Sequence, residues 1–141
     1  VPLSAKTEYA CIALLELAVH YGSGEPVRVR EIAQPHGIPS RFLVQILLQL
    51  KGAGLVSSTR GASGGYRLIR PPEELTLGEV MAVVEGDDEP ISNTSADTAA
   101  TRVLLDAWRS VAARQREMLA QITFADLAGQ VRGETENMYY I

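Results

Sequence analysis

A mainly α-helical fold with one small β-hairpin is predicted by three observations. Apolar residues recur at helical spacing over most of the chain. Two short β-prone runs, residues 55–59 and 66–70, flank the glycine-rich stretch Arg60-Gly61-Ala62-Ser63-Gly64-Gly65. Toward the C-terminus, apolar positions step by alternating fours and threes, the spacing of a long helix with one apolar seam. At 141 residues, 46% hydrophobic and 21% charged, the chain is long enough to bury a core without disulfide staples.

The elements follow in order. Residues 4–21 form a helix, with the Ser4 hydroxyl placed to accept from a free amide of the first turn and Gly22 ending it. Residues 23–26 are a loop, and residues 27–29 are short, alternating and β-prone. A brief helix over 30–34 points Ile32 and Ala33 inward before Pro35 and Gly37 break the chain. The next helix spans 39–52. Pro39 suits its first turn because no partner exists there for the missing amide hydrogen, and Ser40 or the preceding turn caps it. Leu43, Ile46, Leu47 and Leu50 form its apolar stripe, with Arg41, Gln45 and Gln49 opposite. After the hairpin, Thr76 caps a helix over 77–84 with Glu79 at the reciprocal capping position. Residues 86–98 are acidic and without periodicity, a loop or linker. A long helix follows over 99–122, then a short one over 123–131 and a patternless tail over 132–141. The domain division is thus 1–85, an acidic loop 86–98, helices 99–131 and the tail.

Charge divides along the same line. The net charge is −4, but residues 1–70 carry +4 and residues 71–141 carry −8. A net acidic chain argues against nucleic acid as a partner; a basic half joined to an acidic half restores it, with the basic half as the contact face. The lone Cys11 excludes an intramolecular disulfide, and one Cys with two His leaves too few soft ligands for a structural zinc site. No apolar run reaches the ~20 residues a membrane span needs, and no signal-peptide order opens the chain, so a cytoplasmic protein is expected.

Helix, short helix, turn, striped helix and glycine-tipped hairpin is the order of a winged helix-turn-helix. The second helix of such a motif enters the major groove of double-stranded DNA, leading with its N-terminal residues. Ser40, Arg41 and Gln45 lie on the polar side of helix 39–52, where Arg41 suits guanine and Gln45 suits adenine. Arg60, among small residues at the hairpin tip, suits a narrow minor groove. Ser58, Thr59, Gly61 and Ser63 belong to the same approach, and Arg28, Arg30, Lys51 and Arg67 are candidate phosphate contacts. Leu104, Trp108, Val111, Gln115, Met118 and Ile122 are the candidate dimerisation seam.

The stretch IPSRFLVQILLQLKGAGLVSSTRGASGGYRL, followed by LTLGEVMAVVEG, resembles the Rrf2 family of bacterial transcription regulators. The opening LSAKTEYACIALLELA and the late ITFADLA resemble that family's ends. The resemblance implies a homodimeric winged-helix repressor or activator on a pseudo-palindromic operator. It also implies that Arg60 is the wing arginine of the minor groove, that Ser40, Arg41, Phe42 and Gln45 belong to the recognition helix, and that the long C-terminal helix dimerises. Well-known members of the family sense their signal through an iron–sulfur cluster held by three cysteines between the EVMAVVEG-like block and the dimerisation helix. Here that segment reads DDEPISNTSADTAATRVLLDAW and has no cysteine, so no cluster is expected and the effector is left open.

Other motifs have weaker claims. Gly61-Ala62-Ser63-Gly64-Gly65 matches G-x-S-x-G, but no histidine follows the serine and the flanks are hairpin strands. Cys11 lies in an apolar helix, the setting of an inert buried thiol. Asp87, Asp88, Glu89 and Asp97 lack calcium-loop spacing; the first three are expected either to oppose non-specific DNA binding or merely to aid solubility. The alternative functions are a winged-helix protein-interaction module without DNA binding, an enzyme, for which no acid–base or nucleophilic set converges, and unconventional cluster binding through Cys11, Glu8 or His20.

Overall fold

The computed structural model describes residues 3–86 and 90–139. Asp87, Asp88 and Glu89 lie outside the described residues. Helix α1 (Ala5–Val19) starts as its sequence requires: the Ser4 hydroxyl accepts from the Thr7 amide at 3.1 Å. A 3-10 turn at Tyr21–Ser23 leads to α2 (Val29–His36), a tight turn and α3 (Ser40–Gly52). Strands β1 (Val56–Thr59) and β2 (Gly65–Leu68) pair antiparallel, with Val56 opposite Leu68 and Thr59 opposite Gly65. Then come α4 (Leu77–Glu85), α5 (Ala99–Leu119) and α6 (Phe124–Tyr139). The architecture is mostly helical, with one two-stranded wing.

Several boundaries differ from the sequence expectation. Val29 opens α2 rather than closing a strand, while Val27 exchanges two 2.8 Å backbone hydrogen bonds with Tyr66 and adds one rung to the wing. Pro35 does not break α2 but sits in its last turn, where one backbone bond is forgone. Gly37, at φ 65°, ends the helix, and the Ile38 amide reaches back to the Ala33 carbonyl at 2.9 Å. Pro39 is the N-cap of α3 rather than a first-turn residue. Helix α5 ends at Leu119, so Ile122 lies in the following turn, where its carbonyl accepts from the Leu77 amide at 3.0 Å. Helix α6 runs to Tyr139, well past residue 131. Its polar end has no apolar stripe to announce it, but Arg132 donates to the Val19 carbonyl at 3.0 Å and holds α6 to the end of α1.

One core organises these elements. Leu14 and Leu17 of α1, Ile32 of α2, Leu43, Leu47 and Leu50 of α3, Val56 of β1 and Val80 of α4 are buried together. Phe124 and Ala128 of α6 join the same cluster. Thr123 and Asp126 cap α6 reciprocally: the Asp126 amide donates to the Thr123 hydroxyl at 3.0 Å and the Thr123 amide to the Asp126 carboxylate at 3.4 Å. The Phe124 amide donates to the Leu75 carbonyl at 2.9 Å, which brings α6 back beneath α1. By contrast α5 buries none of its residues. None of the described helices is long and apolar enough to cross a membrane.

Candidate nucleic-acid interface

Burial of Leu43, Ile46, Leu47 and Leu50 fixes which way α3 faces. The opposite ridge carries Arg41, Gln45 and Leu48 at i, i+4 and i+7, all exposed. Ser40 occupies the first turn and Phe42, 61% exposed, stands at one side of the ridge. The ridge projects from the body as a recognition helix must if it is to enter a groove.

The wing stands beside the other end of α3. Lys51 donates to the Ser58 hydroxyl at 2.7 Å, tying the last turn of α3 to β1. Between helix and wing lies a groove of about 460 Å³. Arg28, Lys51, Ser58, Thr59, Arg60 and Gly61 line it, so six residues drawn from three separate stretches of sequence meet at one place. Leu48 and Tyr66 line it too. Neither was among the candidates from sequence, although Leu48 continues the spacing set by Arg41 and Gln45. The tip needs its glycines. A β-carbon on Gly64 would stand 2.1 Å from the Thr59 carbonyl oxygen, and one on Gly65 would stand 2.5 Å from the Val27 carbonyl oxygen.

Electrostatics single out the same surface. The guanidinium groups of Arg28, Arg41 and Arg60 take part in no ion pair among the described residues. Arg70, in contrast, is held by the Glu79 carboxylate through both terminal nitrogens, one at 2.7 Å, and also donates to the Glu74 carbonyl; the bond to Glu79 above all, with the nearby carboxylate charges, raises its already high pKa. Arg70 is therefore a latch between the wing and α4. Ser63 is exposed at the tip. Arg67 is not brought to the groove: it pairs with Ser57 on the wing's other face and lines a separate hollow of about 340 Å³ with Leu17, Tyr21 and Val27. His36, at the end of α2, faces Glu16 of α1 at 3.1 Å.

The seam residues of α5 point outward. Leu104, Trp108, Val111 and Met118 are each more than half exposed, and Val103 joins them at 70%. Gln115 is half-buried, and Ile122 lies beyond the helix. A 21-residue helix with an exposed apolar stripe and no buried residue is an unpartnered surface.

Among the described residues no group of three His, Cys, Asp or Glu side chains is placed to hold a metal ion. Cys11 is half-buried in α1, and burial pushes its thiol up to about 11, which keeps it protonated and a poor ligand near neutrality. These residues do not fit a thiolate-held cluster.

Comparison with known proteins agrees with this geometry. The Rrf2 model, described as an iron-dependent transcriptional regulator, matches residues 3–130. The HTH-type transcriptional regulator CymR of Bacillus subtilis (strain 168) is 36% identical over 140 residues, covering 99% of each chain. The HTH-type transcriptional regulator IscR of Sodalis glossinidius is 36% identical over 134 residues, 89% of this chain and 77% of its own. The solved structure of CymR (YrzC), the global cysteine regulator of B. subtilis, superposes with a TM-score of 0.79 at 33% identity, over 92% of this chain and 98% of that one. The structure of T. potens IscR gives 0.76 at 32% identity, over 93% and 88%. A striped helix behind an outward recognition ridge, a glycine-tipped wing and a match over nearly the whole length together place this chain in the Rrf2 family of DNA-binding transcriptional regulators.

Proposed function

We propose that the protein is a cytoplasmic homodimeric repressor that binds a pseudo-palindromic operator and carries no iron–sulfur cluster. The observation that carries this reading is the groove between α3 and the wing, with Arg28, Lys51 and Arg60 around it. Helix α3 enters the major groove with Ser40, Arg41, Phe42 and Gln45, while Arg60 reaches the adjacent minor groove. Lys51 and Arg28 hold the intervening phosphates, with Ser58, Thr59, Gly61 and Ser63 close to the backbone. Arg67 faces away and contributes general attraction rather than a groove contact. Two copies pair through the exposed stripe of α5, which sets half-sites about one helical turn or a multiple apart. On this reading the protein acts by occupying DNA and not by catalysis.

Anisotropy titration of a labelled fragment from the protein's own promoter tests the reading. Wild type binds the fragment with steep salt dependence. Arg60→Ala loses roughly 1–3 kcal/mol on that operator and little on random DNA. Equal affinity of wild type and Arg60→Ala for the operator refutes the wing assignment. Absence of salt-sensitive binding to any promoter fragment refutes the DNA-binding role.

A further inference from the structure

Two large apolar side chains stand exposed on the reading side of α3. Phe42 is 61% exposed and Leu48 50%. Neither belongs to the buried core or to the half-buried side chains packed on it. Both line a hollow of about 690 Å³ between α3 and the start of α1, where Ala5 and Tyr9 form the other wall. Gln45 lines the same hollow, three residues from each, so it is the helical neighbour of both. Leu48 also lines the groove beside the wing, which makes the hollow continuous with the candidate DNA interface.

The amide between them is available to a base. Gln49, one turn on, donates to the Val83 carbonyl at 2.9 Å, whereas Gln45 makes no side-chain hydrogen bond among the described residues. Adenine offers such an amide one acceptor and one donor in the major groove, and thymine alone of the four bases carries a methyl group there. A methyl group gives a polar side chain nothing to hold and is read by apolar contact that shields it from water. A cytosine in its place would set an amino group against apolar surface with no partner. An amide flanked by two exposed apolar side chains therefore matches adenine among thymines.

We infer that Phe42 and Leu48 are specificity residues that read thymine 5-methyl groups in the major groove, on either side of the base contacted by Gln45. The inference rests on the operator-binding role proposed above and adds to it the bases that the operator must carry. Six residues of α-helix rise about 9 Å and bases on one strand are about 3.4 Å apart, so the two side chains reach positions about two to three base steps apart. Arg41 and Gln45 supply hydrogen bonds; Phe42 and Leu48 supply contact that only a methylated pyrimidine returns.

Anisotropy titration of the full chain on its own promoter fragment, with each thymine of the footprinted site replaced in turn by deoxyuridine, tests the inference. The replacement removes one methyl group and leaves every hydrogen-bonding group in place. At one or more thymines of each half-site it should weaken wild type about three- to fivefold, the worth of one buried methyl. The same replacement should move Phe42→Ala or Leu48→Ala by less than about 1.5-fold, because the partner of that methyl is gone. Arg60→Ala, which acts in the minor groove, should keep the full sensitivity, since separate contacts add. Both apolar side chains lie outside the core, circular dichroism checks that their variants are folded, and the wild-type scan stands without them. Unchanged wild-type affinity at every thymine overturns the inference and leaves operator binding in place. So does methyl sensitivity that survives in both alanine variants, or that vanishes in Arg60→Ala as well. Absence of wild-type binding to the unmodified fragment refutes the operator reading itself, and this inference with it.

Discussion

The exposed stripe of α5, proposed above as a dimer seam, admits a worked prediction. Trp108 leaves 57% of its surface exposed on a single copy of the chain. A tryptophan offers up to about 250 Å², so roughly 140 Å² remains to be covered by a partner. At about 25 cal/mol per Å² that area is worth roughly 3.5 kcal/mol. Incomplete coverage and the β-carbon that alanine keeps bring the loss for Trp108→Ala to about 2–3 kcal/mol per subunit. A two-fold interface contains the residue twice, so the dimer loses about 4–6 kcal/mol, or 10³- to 10⁴-fold in dimer dissociation constant. Sedimentation equilibrium over a wide concentration range reads this directly. Because Trp108 lies outside the buried cluster, the thermal midpoint of the isolated subunit should barely move. A dissociation constant within about threefold of wild type would refute the assignment of α5 as the seam, since so large an apolar side chain is not neutral at an interface it occupies.

Three other outcomes follow from particular contacts. Lys51→Ala removes the 2.7 Å bond to Ser58 and the phosphate contact proposed above; affinity should fall by a similar factor on all sequences and the salt slope by about 1, and an altered base preference in a binding-site selection would contradict a phosphate role. Phe124→Ala empties a fully buried position shared by α6 and α1 and should cost about 3–5 kcal/mol, a fall of roughly 10–15 °C in thermal midpoint by calorimetry; a fall under about 3 °C would show that α6 does not belong to the core. The Cys11 thiol, with its pKa raised from 9.0 to about 11, should react with iodoacetamide at pH 8 about 100-fold more slowly than an unperturbed thiol, as followed by mass spectrometry; alkylation at the free-thiol rate would reopen a redox role.

The sequence by itself determined the reading head. The stripe of Leu43, Ile46, Leu47 and Leu50 fixes the buried face of α3, and so the outward ridge of Arg41 and Gln45, because helical spacing is a local property. The glycines of the tip mark the wing for an equally local reason: the turn leaves no room for a β-carbon at Gly64. The absence of cysteine between α4 and α5 is likewise a fact of composition. Tertiary structure decided what depends on distant partners. It turned Arg67 away from the groove and added Leu48 and Tyr66 to it, since strand alternation and helix–wing packing set those directions. It cut α5 at Leu119 and returned Phe124 and Ala128 to the core of α1, because the backbone bonds between residues 75–77 and 122–124 close that corner. Local periodicity says which face of a helix is buried; only the packed chain says against what.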